Sequence, residues 1–408
     1  MSGAARNGSD VRRCGLVGAG TVGAGIARVL ADLGATVVVV APRRGGLQRA
    51  AGMLERAYES DVRRGRITAL EARDRLSRMH LTASYADLAG VECVIESVVE
   101  NLQTKHAVLA AVEAGVSPAC IIASNTSAIP ISRIAAAAAW PDRVIGAHYF
   151  WPAYRYRLVE IIPGEATGTL TLHRTQAMVD WQGKVPLIVG DCPGFFTTRI
   201  LLVYLNEAIA LVTEGAAIDA VDDAMEAFGW AMGPFRLMDA VGIEIFRGVY
   251  DAVSPHLGER VAYLRRLWPV LDAGHHGSRR DGAKGFYRDR DGGAVDPRIY
   301  SLIGRNGAHS PSPAEHSTRP IWQMINEIGH CLAEEVVASA DDADRGAALG
   351  LGWPQQGGPL AYAQQAGLDA IVETLQTWAL RHGPRFLPSP PLLRAASAGT
   401  WRRPVPVA

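Results

Sequence analysis

The chain is poor in lysine, with 3 among 408 residues, poor in cysteine, with 5, and holds no apolar run approaching the ~20 residues that cross a bilayer as a helix. The cysteines, at positions 14, 93, 120, 192 and 331, are odd in number and lack the C-x-x-C spacing of metal or redox sites, so reduced thiols and no bound metal are expected. Net charge is missing too. With 41 basic and 41 acidic residues, no overall field draws the molecule to nucleic acid or an anionic membrane, and small molecules or protein are the expected partners. The opening residues, MSGAARNGSDVRR, contain no apolar signal segment, so an unprocessed cytoplasmic protein is expected. What the chain has in quantity is apolar material, 48% against 20% charged, enough for two or three packed domains.

Short β-branched runs alternate with helical stretches over residues 1–190, the pattern of a parallel sheet covered by helices. Strands are expected at 14–18, 36–41, 91–97, 121–124, 144–148 and 158–162, with an edge strand at 185–189. Residues 48–79, about twice the length of a crossover helix, read as an inserted helical hairpin. Beyond residue 190 the spacing turns helical. RILLVYLNEAIALVTEG from Arg199 recurs as RPIWQMINEIGHCLAEE from Arg319, and Gly233-Pro234 and Gly242 recur as Gly358-Pro359 and Gly367. A helical domain has therefore been duplicated: copy one at 191–288, a linker rich in Gly, Ser, Pro and Asp at 289–318, and copy two with a loosely held tail at 319–408.

The sequence Gly18-Ala19-Gly20-Thr21-Val22-Gly23 follows a strand directly and opens a helix, the context in which GxGxxG signals a dinucleotide site. Gly18 permits the tight turn, Gly20 lets a pyrophosphate approach the backbone, and Gly23 lets helix and strand pack closely. The expected fold is thus an α/β Rossmann-type dinucleotide-binding domain followed by a duplicated all-α domain. The acid that normally follows the second strand and holds the adenosine ribose is absent; Ala41-Pro42-Arg43-Arg44 stands there instead. Two guanidinium groups suit a 2′-phosphate, which favours NADP(H) over NAD(H). The competing reading makes them solvated loop charges at a weak or vestigial NAD site.

His148 ends the apolar run RVIGAH, and Glu160 sits twelve residues on within LVEII. A carboxylate in so apolar a segment is costly to bury unless paired, and an imidazole one strand away is its natural partner, poised for proton transfer. From these residues alone, an ordinary His and Glu on exposed strand ends stays open.

GAGTVGAGIA, IESVVENLQTK, ASNTS, GAHYFWP, LVEII, DCPGFF and GPFRLMDAVG, in this order and spacing, resemble the 3-hydroxyacyl-CoA dehydrogenase family over residues 12–380. The duplicated half, with GAKGFY and GLGWPQQGGPLAYAQQAG, resembles the dehydrogenase part of the multifunctional α-subunits of fatty-acid β-oxidation, and no preceding hydratase/isomerase half is expected. The resemblance implies an oxidoreductase interconverting 3-hydroxyacyl and 3-oxoacyl thioesters, on CoA or acyl carrier protein, with NAD or NADP. It implies that His148 is the general acid/base, that Glu160 orients it and that Ser127 binds the substrate oxygen. Glu100, Lys105 and Asn125 match positions lining the cofactor. Three positions depart from the family: Ala41 in place of the ribose-binding acid, Trp151 in place of a small polar residue, and Thr198 in place of an asparagine that contacts the acyl carbonyl. Two further readings stay open: a dehydrogenase of a non-thioester β-hydroxy acid, and a catalytically lapsed homologue that binds nucleotide or a partner. Relatives with one helical unit pair as homodimers, whereas two copies in one chain can pack on each other, so either a monomer or a homodimer is expected.

Overall fold

A computed structural model describes residues 12–43, 45–277, 284–288, 293–307 and 310–401. It divides into two compact units, residues 1–192 and 193–408. The first contains one eight-stranded sheet: β1 (Arg13–Val17), β2 (Thr36–Val40), β3 (Met79–Thr82), β4 (Cys93–Glu96), β5 (Ile121–Ser124), β6 (Val144–Tyr149), β7 (Leu158–Pro163) and β8 (Val185–Ile188), in the order β3-β2-β1-β4-β5-β6-β7-β8. β1 to β6 are parallel. β7 pairs antiparallel with β6, and β8 runs parallel to β7. The central strands are near-continuous runs of Val, Ile and Ala because helices cover both faces of a parallel sheet, leaving no face for polar side chains.

The helices of this unit are α1 (Thr21–Asp32), α2 (Gly46–Arg63), α3 (Ala69–Ser77), α4 (Leu102–Glu113), α5 (Ile131–Ala135) and α6 (Thr169–Trp181). α2 and α3 form the inserted hairpin. It docks on α1 through buried Leu54 and Tyr58 and through the ion pair of Arg28 with Asp61. One strand escaped the sequence reading: the insertion ends at Ser77, and Met79–Thr82 joins the sheet edge beside β2. Four residues with a single buried position, Met79, carry too weak an alternation to read from sequence.

The second unit is helical: α7 (Thr197–Glu214), α8 (Ile218–Phe228), α9 (Pro234–Val241), α10 (Ile243–Leu257), α11 (Trp268–Asp272), α12 (Arg298–Ile303), α13 (Glu315–Ala333), α14 (Ala340–Gly346), α15 (Pro359–Ala366), α16 (Leu368–His382) and α17 (Pro390–Ala398). α7 is apolar nearly all round and buried as the central helix, with α13, its repeat, packed along it. The repeats exchange ion pairs. Arg199 on α7 donates to Glu327 on α13 from Nε at 3.0 Å and Nη2 at 2.6 Å, and from Nη1 to Glu334 at 2.6 Å. Arg319 on α13 donates in return to Glu207 from Nε at 2.9 Å and from Nη1 to Glu214 at 2.6 Å. The asparagines repeat as well: Asn206 Oδ1 accepts from Tyr263 N and Asn326 Oδ1 from Ser389 N, both at 2.7 Å.

Two expectations for this unit are corrected. Residues 289–318 are not simply a linker: α12 lies within them and α13 begins there, with Ile299 and Ile303 buried, while 289–292, 308 and 309 fall outside the described residues. Of the tail, residues 385–398 are not loosely held: Phe386, Leu392 and Ala395 are buried and Arg385 pairs with Glu207 at 3.1 Å, while 402–408 fall outside the described residues. Its Pro and Ala content hid a short helix whose anchoring contacts are all distant in sequence.

Candidate active site

β1 lies between β2 and β4, so the chain reverses its direction of sheet growth at β1, and a crevice opens at the carboxyl ends of these strands. The glycine turn stands at that point. Gly18 adopts φ 101°, and an added Cβ there would meet Ser97 O at 2.4 Å. A Cβ at Gly23 would meet Gly18 O at 2.0 Å, which is why helix α1 can pack so close to the turn. At Gly20 a Cβ would meet nothing within 4 Å. Two of the glycines are thus demanded by the backbone itself, and the third leaves an open approach to the first turn of α1. This is the arrangement a dinucleotide pyrophosphate needs. Thr21 and Val22 form that first turn.

A cavity of about 260 Å³ leads from this turn between the ends of β2 and β4. Gly18, Gly20 and Arg43 line it, with Tyr85, Val98 and Val99 giving an apolar wall. Arg49, which sequence reasoning missed, lines it from the first turn of α2. Arg44 lies outside the described residues.

Lys105 does not face this cavity. It is 1% exposed, and its Nζ lies 2.9 and 3.0 Å from the Glu96 carboxylate oxygens and 3.6 Å from Glu100. The buried ammonium thus holds two carboxylates together. Glu100 Oε1 in turn accepts from Thr126 Oγ1 at 2.5 Å and from the backbone N–H groups of Ser127 at 3.1 Å and Ala128 at 2.9 Å. This network shapes the turn after β5 that presents Ser127. Asn125 ties strand ends together, its Oδ1 accepting from Tyr149 N at 2.7 Å and its Nδ2 donating to Ser97 Oγ at 3.3 Å.

His148 and Glu160 are directly opposed in the antiparallel register of β6 and β7. His148 Nδ1 lies 2.7 Å from Glu160 Oε2. The carboxylate side chain is 0% exposed and the imidazole side chain 9%. A carboxylate oxygen accepts, so Nδ1 is the donor of this bond and Nε2 is the ring's second nitrogen. The Phe150 ring packs on the imidazole with centroids 4.9 Å apart. Trp151 follows in the loop between the two strands, 45% exposed. Lys184 pins that loop, its Nζ donating to Ala153 O at 2.6 Å and Tyr156 O at 2.7 Å, and burial lowers its pKa to about 8. Its rarity as one of three lysines was the available signal. Thr198 stands in the first turn of α7 in the second unit, 9% exposed. Among the described residues no group of three or more His, Cys, Asp or Glu side chains is placed to hold a metal ion.

A glycine-turn crevice at the carboxyl ends of a parallel sheet, with an imidazole–carboxylate pair on β6 and β7 of the same sheet, defines a nucleotide-binding α/β unit. Residues 13–192 match the 3-hydroxyacyl-CoA dehydrogenase NAD-binding domain and residues 194–289 the 3-hydroxyacyl-CoA dehydrogenase C-terminal domain. The chain belongs to the 3-hydroxyacyl-CoA dehydrogenase family.

Among its relatives, the fatty acid oxidation complex subunit alpha of Shewanella amazonensis is 36% identical over 95% of this chain and 55% of the relative. The chain thus spans about half the length of that curated protein. The 3-hydroxybutyryl-CoA dehydrogenase of Escherichia coli K12 is similar in structure, with a TM-score of 0.80 at 25% identity over 96% of this chain and 99% of the other. The (S)-3-hydroxybutyryl-CoA dehydrogenase PaaH1 of Ralstonia eutropha gives 0.61 at 31% identity over 67% and 98%.

Proposed function

We propose that the protein interconverts a 3-hydroxyacyl and a 3-oxoacyl thioester, carried on CoA or an acyl carrier protein. His148 is the general acid/base and Glu160 orients it. The observation that carries this reading is the 2.7 Å contact between His148 Nδ1 and the buried Glu160 carboxylate. In the oxidative direction Nε2 takes the proton of the 3-hydroxyl group, and the imidazolium that forms is stabilised by the carboxylate beside it. In reduction the same nitrogen returns the proton. Ser127, presented by the turn that Glu100 holds, donates to the substrate oxygen and keeps it at His148. A nicotinamide dinucleotide, when bound, supplies the hydride exchange. Gly18, Gly20 and the first turn of α1 would hold its pyrophosphate, and the carboxyl end of β2 would meet its adenosine ribose. Ala41 at that end offers no carboxylate and Arg43 lines the cavity, which favours NADP(H).

Nicotinamide absorbance with acetoacetyl-CoA and each reduced cofactor tests the activity. A His148→Ala variant with full turnover rules the mechanism out. One observation favours a second reading, a lapsed homologue: an indole, Trp151, stands in the loop that follows the imidazole, where the family has a small polar residue. Nucleotide binding without turnover on any 3-oxoacyl thioester would select it. The reciprocal ion pairs between α7 and α13 satisfy the two repeats within one chain, which supports a monomer, and sedimentation equilibrium tests that.

A further inference from the structure

We infer that Arg49, on the first turn of α2, is the second arm of a clamp for the cofactor's 2′-phosphate, with Arg43 as the first. The inserted hairpin would then select the cofactor. The inference rests on the NADP(H) reading and adds to it a residue and an element that lie outside the strand-to-loop segment where the sequence pointed.

Three observations carry it. The cavity that starts at Gly18 and Gly20 ends against Ala41, Arg43 and Arg49, so both guanidinium-bearing residues border the space that continues from the pyrophosphate turn. Side chains at the carboxyl end of the second strand are the ones that meet the adenosine ribose in this type of crevice. Here that wall is the Ala41 methyl, 7% exposed. A 2′-phosphate placed there meets no carboxylate from the strand end, and the first turn of α2 holds no acid either.

The second observation is the fold of the connection. Gly46 N donates to Arg43 O at 2.8 Å, and Gly45 adopts φ 72°, closing a tight turn that starts α2 beside Arg43. A Cβ built at Gly45 would lie 3.0 Å from Arg49 Nη1, so the Arg49 guanidinium lies back over this turn.

The third is electrostatic. Arg28 on α1, Arg66 between α2 and α3, and Arg75 on α3 are matched to Asp61 or Asp32. Arg43 and Arg49 have no ion pair among the described residues. Unmatched arginines are ordinary on a solvent face, but these two border one cavity. Two guanidinium groups on one side of a cavity repel each other unless an anion is shared between them. A phosphomonoester dianion, with three terminal oxygens, accepts from both forks at once.

Calorimetry on the full chain with adenosine 2′,5′-bisphosphate and 5′-AMP tests this, because the two ligands differ only in the 2′-phosphate and neither needs the acyl substrate. The expected result is that the wild type binds the bisphosphate at least roughly tenfold more tightly than 5′-AMP. Arg49→Gln should abolish most of that preference while leaving 5′-AMP affinity within about twofold, and Arg49→Lys should keep part of it. Arg49 is exposed, so both variants should retain wild-type circular dichroism.

If Arg49→Gln keeps the full preference, the role of Arg49 is overturned and the NADP(H) reading stands on Arg43. If Arg49→Gln weakens both ligands equally, Arg49 is not a 2′-phosphate ligand. If the wild type binds both ligands alike, the clamp and the NADP(H) preference fall together and the nucleotide site remains. Binding of neither ligand overturns the nucleotide site itself.

Discussion

His148 and Glu160 stand opposite each other across the β6–β7 pair, 2.7 Å apart from Nδ1 to Oε2, with the acid wholly buried. Twelve residues of sequence are folded back so that a hairpin register, which admits no half-step, sets the distance between them. Under the proposed mechanism, Glu160→Gln keeps the shape and removes the charge that would steady an imidazolium, and His148→Ala removes the proton acceptor. The expected losses in kcat with acetoacetyl-CoA are roughly 10²-fold for the first and 10³-fold or more for the second, read from nicotinamide absorbance.

Gly20 and Gly23 separate binding from folding. A methyl at Gly23 collides with Gly18 O, so Gly23→Ala should lower the urea midpoint of the first unit. A methyl at Gly20 meets no protein atom within 4 Å, so Gly20→Ala should keep the midpoint and weaken nucleotide binding at least tenfold by occupying the pyrophosphate approach. Urea titration and calorimetry on the two variants read these effects separately.

Arg319 is fully buried and holds Glu207 and Glu214. Arg319→Met leaves Glu207 in an apolar seam with Arg385 as its remaining partner, and should destabilise the helical unit by about 3–5 kcal/mol in denaturant unfolding. Adding Glu207→Met should restore part of the loss, since the second change removes the stranded charge.

The helical unit should be most stable at mildly acidic pH. Burial raises the Asp222 and Asp239 carboxyls from 3.8 to about 6, so between those values the folded state binds more protons than the unfolded one and stability rises as pH falls. Burial also acts to raise Glu334, but the Arg199 guanidinium and His256 outweigh it and hold that carboxyl at about 2. Burial is likewise outweighed at Glu207 by Arg319 and Arg385, which hold it low. For these depressed groups the stabilisation is present above the unfolded value of 4.5 and is lost as pH falls through the folded one. Urea midpoints followed from pH 7 to 2.5 should therefore climb and then collapse below about pH 4. Asp239→Asn should flatten the climb.

Trp151 is the departure nearest the imidazole in sequence and is half-exposed, so Trp151→Asn should change unfolding free energy by no more than about 0.5 kcal/mol. If the indole restricts the acyl site, the variant should turn over acetoacetyl-CoA faster than the wild type. An unchanged or lower rate would show that the indole is not what limits that substrate.

Much was legible in the chain alone because it lies in local pattern. The glycine turn, the β-branched strands and the inserted hairpin are written in periods of two and 3.6 residues and in glycines that a turn demands. The repeat at Arg199 and Arg319 was visible as self-similarity. What the sequence could not hold is which partner each charge takes. Lys105 matches a cofactor-lining position of the family, and folding sets its ammonium between Glu96 and Glu100. Arg49, on a helix spacing that reads only as solvent-facing, is brought to the nucleotide cavity by the turn at Gly45. The repeat announced two similar halves, but the exchange of Arg199 and Arg319 between them came from packing. Periodicity is a property of neighbours along the chain; the pairing of charges is settled by distance, burial and competition among residues far apart in it.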